Sequence, residues 1–127
     1  MKYKISDGGA VAAGFDERND CVVRGLAIAA RVPYARAHRL VAAATGRRSR
    51  GRTHDFMGMM LRERLGQRGV ELTKRYTVAG FVKQFPKGHY LASKSGHVFA
   101  VVNGVVHDTW KPGPRCVITH AWCFLKK

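Results

Sequence analysis

A cysteine, a histidine and an aspartate occupy positions in this sequence that suit nucleophilic catalysis. Cys21 directly precedes an apolar run with helical spacing, and His97 opens a strand-like run that a hairpin turn carries on to Asp108. A thiol is a useful nucleophile only as the thiolate, and a helix amino terminus or a nearby imidazolium lowers its pKa. The three residues therefore form a candidate nucleophile, base and orienting acid.

The hairpin turn fixes how the histidine and the aspartate lie relative to each other. A two-residue turn at Asn103-Gly104 is a strong hairpin signal and places Val102 opposite Val105. Because side chains alternate between the two faces of a strand, this register puts His97 and Asp108 on one face. We expect them to be diagonally adjacent, with Cβ atoms about 5 to 8 Å apart.

Each of these residues also has an ordinary structural interpretation. A cysteine at a helix start is most often a small buried hydrophobe. His97 could be a core or edge histidine, and Asp108 could cap a turn. The order of the three residues, and the face shared by His97 and Asp108, favour the catalytic interpretation.

Three short motifs resemble the papain-like cysteine peptidase superfamily. They are Asn-Asp-Cys-Val-Val-Arg-Gly-Leu at 19–26, Gly-His-Val-Phe-Ala-Val-Val at 96–102 and Asp-Thr-Trp at 108–110. In that superfamily the cysteine begins the first long helix, the histidine starts a central strand, and an asparagine or aspartate follows on the next strand. Bacteriocin-processing peptidases and small papain-like proteins of phages and bacteria are nearest in size, and the first motif is also similar to the Asp-Gly-Asn-Cys of ovarian-tumour deubiquitinases.

The resemblance implies a peptidase, isopeptidase or amidase acting on a peptide or protein, without a cofactor. It also implies that Trp110 shields the polar bond between His97 and the acid. Papain places an oxyanion-stabilising glutamine six residues before its cysteine, and Phe15 stands at that position here. We therefore expect the backbone N–H of Cys21 to be a donor, and Asn19 is either a helix cap or a second donor.

The periodicity of the sequence changes from helical to strand-like near residue 88. The predicted helices run from Cys21 to Pro33, over 34–44 with a cap at Gly46, from a cap at Asp55 to about 67, and over 78–85 with a cap at Thr77. The predicted strands cover 90–92, 97–102, 105–110 and 116–125. The sequence thus predicts an α+β fold in which amino-terminal helices pack on a carboxy-terminal antiparallel sheet, as one domain over 1–127.

Composition restricts the environment of the protein. Its 127 residues, 46% of them hydrophobic, can form one packed core, and no apolar run approaches the length of a membrane span. Three cysteines are too few for a disulfide framework, which predicts a reducing cytoplasm. The spacing of Cys116, His120 and Cys123 argues against a metal site, since Cys123 would point to the opposite face of a strand.

The net charge provides a second functional signal. The chain carries 23 Lys and Arg against 8 Asp and Glu, a formal charge of +15. Four arginines concentrate in a loop without apolar residues, at Arg47, Arg48, Arg50 and Arg52. Such an excess favours a polyanionic partner. The sequence therefore also fits a basic module that binds nucleic acid or a nucleoprotein, for example inside a phage particle, with an unused triad; for a hydrolase, the same charge favours acidic substrates.

Overall fold

The computed structural model describes residues 1–51, 53, 59–60 and 75–124, and these form a mixed α and β structure. The helices are α1 Cys21–Ala30, α2 Tyr34–Thr45 and α3 Val78–Gln84. The strands are β1 Lys2–Ile5, β2 Tyr76–Thr77, β3 His89–Lys94, β4 His97–Val102, β5 Val105–Asp108, β6 Val117–Ile118 and β7 His120–Phe124. None of the helices in the described ranges is long and apolar enough to cross a membrane.

The predicted arrangement of amino-terminal helices and a carboxy-terminal sheet is confirmed, except that β1 precedes α1 and β2 precedes α3. Helix α2 ends at Gly46, which has the left-handed φ of 73° expected of a glycine cap. Helix α3 begins after Thr77, whose hydroxyl accepts a hydrogen bond from the Gly80 N–H at 3.0 Å. The helix predicted to start at Asp55 lies outside the described residues, apart from Met59 and Met60, which are buried.

The hairpin between β4 and β5 has the predicted register. Val102 lies opposite Val105, and Val101 lies opposite Val106. Asn103 and Gly104 have φ values of 47° and 76°, the positive angles that a tight hairpin turn requires. Strand β5 ends at Asp108 instead of continuing to residue 110, so the acid stands at the end of its strand.

The main sheet has the order β1-β5-β4-β3-β7. The carboxy-terminal strands in it are antiparallel to one another, as predicted. The sequence interpretation missed β1, which pairs in parallel with β5 at the edge of the sheet. It also merged β6 and β7 into one strand; in the structure β6 pairs with β2 in a separate two-stranded sheet, while β7 pairs with β3.

Helix α1 lies directly on the central strands. A Cβ atom added at Gly25 would come within 2.7 Å of Leu91 Cδ1 and 3.5 Å of the Phe99 carbonyl carbon. The absence of a side chain at this position therefore allows the helix to approach the sheet closely. A first core cluster includes side chains of α1, α2 and the sheet, and a second one places Phe81 of α3 among sheet residues that include Phe99.

Candidate active site

The structure brings Cys21, His97 and Asp108 together at the ends of three elements. Cys21 is the first residue of α1, His97 the first of β4 and Asp108 the last of β5. His97 Nε2 lies 2.5 Å from Asp108 Oδ2, and Cys21 lies close enough to the same ring for each of the two groups to shift the pKa of the other. Because Nε2 is engaged by the carboxylate, Nδ1 is the ring nitrogen left for the thiol.

The surroundings of the Cys21 sulfur favour the thiolate. Burial alone would raise the pKa of Cys21, but hydrogen bonds from the His97 ring and the Val98 N–H, with the charges of His97 and Arg24, outweigh burial and lower it. Burial alone would also lower the pKa of His97, but its bonds to Asp108 and Cys21 and their negative charges raise it to about 9. Both shifts favour a thiolate–imidazolium pair.

Trp110 lies against the histidine, where the resemblance places a shielding aromatic. Its ring centroid is 4.7 Å from that of His97, with the planes tilted by 35°. Phe99 stacks at 6.0 Å. The indole is 45% exposed, so it covers the imidazole while facing solvent itself. An aromatic face beside a protonated ring also stabilises its positive charge.

The carboxylate of Asp108 is held from several sides. It is 4% exposed, and its Oδ1 accepts a hydrogen bond from the Thr109 N–H at 2.7 Å. Arg24 Nη2 lies 3.6 Å from the same oxygen, while Arg24 Nη1 is bonded to Asp20 Oδ1. Tyr34 completes this network by donating its hydroxyl hydrogen to Asp20 Oδ2 at 2.7 Å.

The sequence interpretation missed Arg24 and Asp20, although one signal was present. Arg24 is the only charged residue in α1, a helix that is otherwise apolar apart from Cys21. It lies three residues after Cys21, and residues three apart share a helical face. A lone charge on the face that carries the nucleophile is a reason to suspect a partner near the site.

Asn19 does not have the position predicted for a cap, and its amide is engaged elsewhere. Asp20 is the residue before α1 and makes no capping hydrogen bond, because its oxygens bind Arg24 and Tyr34. Asn19 has a left-handed φ of 53°, and its Nδ2 donates to the Arg50 carbonyl at 3.2 Å. In this conformation the backbone N–H of Cys21 is the better oxyanion donor.

Phe15, at the position of the papain glutamine, belongs to an aromatic cluster. Its ring lies 5.0 Å from that of Tyr34 and 4.7 Å from that of His38. It also packs against the core that contains α1 and α2. Phe15 therefore has a packing role, and its ring offers no donor to an oxyanion.

Arg47 does not have the exposed position expected of a polyanion-binding residue. Its guanidinium is buried, with the residue 6% exposed, and binds Glu17 Oε1 at 3.1 Å and the Arg18 carbonyl at 2.9 Å. A loop without apolar residues was expected to be solvated, but a buried carboxylate draws this arginine inwards. Arg50 is exposed yet paired with Asp16 at 2.5 Å, Arg48 is exposed, and Arg52 lies outside the described residues.

The acidic side chains of the described region are all engaged within the protein. Each accepts hydrogen bonds from side chains or backbone N–H groups: Asp7, Asp16, Glu17, Asp20 and Asp108. Most described lysines and arginines, by contrast, are exposed. The positive charge at the surface is therefore poorly compensated, although Arg47 does not contribute to it.

Cys116 and Cys123 differ from Cys21. Both are free and half-buried, and burial raises the pKa of Cys123. In the parts of the chain that the structure describes, no group of three or more His, Cys, Asp and Glu side chains is arranged to hold a metal ion.

Comparison with protein-family models, with curated proteins and with solved structures finds no match to this chain. The functional inference therefore depends on the arrangement of its own residues.

Proposed function

We propose that this protein is a papain-like cysteine hydrolase that cleaves an amide or ester bond of a peptide or protein. The observation that supports this most is the position of His97, which lies beside Cys21 and 2.5 Å from Asp108. One ring in contact with a nucleophile and with an orienting acid is the arrangement that covalent acyl transfer needs.

In the first step the Cys21 thiolate attacks the acyl carbonyl carbon and forms a C–S bond. The carbonyl π electrons move to oxygen, and the Cys21 N–H donates to the resulting oxyanion. When the tetrahedral intermediate collapses, the bond to the leaving group breaks and protonated His97 delivers its proton to that group. The product is an acyl-thioester on Cys21 and a neutral His97.

In the second step His97 removes a proton from a water molecule that attacks the thioester carbonyl. Collapse of this intermediate breaks the C–S bond and releases the carboxylic acid, and the thiolate–imidazolium pair forms again. Asp108 keeps the ring oriented throughout, since its Oδ2 is bonded to Nε2 and its Oδ1 is fixed by Thr109.

An activated ester tests this function without knowledge of the natural substrate. p-Nitrophenyl acetate should acetylate Cys21 with a burst of nitrophenolate, and mass spectrometry should locate one acetyl group on that residue. Cys21→Ala should abolish the burst, while Cys123→Ala should leave it unchanged. A burst of equal size in Cys21→Ala would contradict the proposal.

A second candidate function is supported by the uncompensated surface charge. The formal charge is +15, and the described carboxylates are all engaged internally. A basic surface of this kind would bind nucleic acid or a nucleoprotein through phosphate contacts. It would be compatible with the hydrolase, either in the cytoplasm or in a phage particle, and would favour acidic substrates.

A further inference from the structure

We propose that Arg24 is a positioning residue for the triad, which acts through Asp108 to hold the orienting acid aligned with His97. This inference rests on the proposed cysteine hydrolase function and identifies a residue that the Cys-His-Asp pattern does not contain.

The position of Arg24 connects the nucleophile helix to the acid. It is one turn along α1 from Cys21, and its side chain is only 14% exposed. One terminal nitrogen binds Asp20, the residue before the nucleophile, and the other lies 3.6 Å from Asp108 Oδ1. The planar guanidinium thus reaches two buried carboxylates at once, which a lysine ammonium could do only poorly.

The contact with Asp108 is electrostatic, since 3.6 Å exceeds the length of a good hydrogen bond. It nevertheless attracts Oδ1, while Oδ2 faces His97 Nε2. Arg24 therefore contributes to the orientation of the carboxylate together with the Thr109 N–H.

The balance of buried charges shows why this contact matters. Asp20 and Asp108 are negative, and Arg24 and protonated His97 are positive, so the four charges cancel before the thiolate forms. Without Arg24, two buried carboxylates would depend on one histidine, and no cation would hold Asp108 Oδ1. A carboxylate that turns away from Nε2 would stabilise the imidazolium less, and the thiolate would lose part of its stabilisation.

A double-mutant cycle between Arg24 and Asp108 tests the proposal. The measurement is the rate at which iodoacetamide alkylates Cys21 across the pH range, located by mass spectrometry. Arg24→Gln should lower this rate about tenfold at about pH 6, because less of the thiol is then ionised. Arg36→Gln, which neutralises an exposed arginine of α2, is the matched control and should leave the rate unchanged.

The cycle distinguishes an effect of Arg24 that is transmitted through Asp108 from a direct effect of Arg24 on Cys21. In the Asp108→Asn background, adding Arg24→Gln should lower the rate by at most about threefold, because only the direct attraction between the Arg24 charge and the Cys21 sulfur then remains. An equal tenfold loss in both backgrounds would overturn the proposal, because it would show that Arg24 acts through Asp20 or directly on the sulfur. An unchanged rate in Arg24→Gln alone would overturn it as well.

Two further comparisons keep the test decisive. If Arg24→Gln fails to fold, the alkylation rate of Cys21 is compared between Asp108→Asn and the double variant, which lacks one buried charge of each sign. A tenfold difference between these two rates would overturn the proposal. If wild-type Cys21 reacts no faster than Cys116 and Cys123, the proposed hydrolase function fails first, and this outcome is distinct from a failure of the Arg24 proposal.

Discussion

At the scale of single residues, the state of Cys21 is set by its partners more than by burial. The thiol is largely enclosed, which by itself disfavours a thiolate, yet the His97 ring and the Val98 N–H reverse that effect. His97 is in turn kept protonated by Asp108, which raises its pKa to about 9. The chemistry proposed for the site therefore depends on one chain of hydrogen bonds and charges.

Replacement of Asp108 by asparagine should impair turnover while leaving the fold intact. The amide retains an oxygen for the Thr109 N–H but loses the charge that keeps His97 protonated, so the pKa of His97 should fall. We expect turnover of p-nitrophenyl acetate to drop about 10²-fold, with the alkaline limb of its pH profile at lower pH. Circular dichroism provides the control for folding, and an unchanged pH profile would contradict the role of Asp108.

The residues of the triad were predictable because local rules place them. The Asn103-Gly104 turn sets the register of two strands, and that register brings His97 and Asp108 to one face. The contact of Arg24 with Asp108 and the contacts of Glu17 were not predictable, because these ion pairs join segments whose packing the sequence pattern does not determine. The error at Arg47 has the same origin, since its burial depends on a carboxylate 30 residues away.

At the scale of elements, Glu17 stabilises the segment before Cys21, residues 16–20. The side chain of Glu17 is 1% exposed and accepts hydrogen bonds from the side chains of Arg47 and Ser49 and from the Arg50 N–H, while His38 lies at 2.9 Å. These contacts join residues 16–20 to the loop after α2. The loop that looked like a solvated basic patch thus supports the start of α1.

Glu17→Gln should destabilise the protein by about 3 kcal/mol at neutral pH. Burial would raise the pKa of Glu17, but bonds from Arg47, the Arg50 N–H and His38 lower it to about 2. A carboxyl whose pKa is depressed on folding stabilises the protein above its unfolded pKa of about 4.5 and loses that effect as the pH falls towards 2. Chemical denaturation at several pH values measures this difference.

The same substitution at a neighbouring exposed carboxylate is the control. Asp16→Asn removes a surface ion pair with Arg50, and such pairs contribute about 0 to 1 kcal/mol. If Glu17→Gln and Asp16→Asn lower the free energy of unfolding equally, the role given to Glu17 is wrong. The role is also wrong if the loss of stability in Glu17→Gln does not become smaller below about pH 4.5.

The order of the elements could be predicted better than the edges of the sheet. Helix periodicity, Thr77, Gly46 and the hairpin turn mark boundaries that the structure confirms. Strand β1 has only four residues, and its place depends on parallel pairing with a strand far along the chain. The division between β6 and β7 depends on Thr119, whose N–H donates to the Ser93 carbonyl where the chain changes sheets.

At the scale of the whole molecule, charge distinguishes the surface from the interior. The interior pairs its carboxylates with Arg24, Arg47 and His97, while the surface carries unbalanced lysines and arginines. Binding to a DNA duplex should therefore be measurable at low salt, show little dependence on base sequence, and weaken steeply as salt rises.

Arg48 is exposed and Arg47 is buried, so the two arginines provide a matched pair of variants for this prediction. Arg48→Gln should reduce the slope of log affinity against log salt by about 0.9 if the exposed guanidinium contacts a phosphate. Arg47→Gln, in protein shown to be folded, should leave the slope unchanged, because this arginine is buried against Glu17. Equal slopes for wild type and Arg48→Gln would show that Arg48 is not part of a binding surface.

The pH dependence of Cys21 alkylation tests the central claim most directly. Iodoacetamide should modify Cys21 well below pH 8 and faster than Cys116 or Cys123, because His97 lowers the pKa of Cys21, whereas burial raises that of Cys123. His97→Ala should remove this advantage and return the reaction to the ordinary thiol pKa of about 8.5. Equal reactivity of the three cysteines, or an unchanged profile in His97→Ala, would contradict the account.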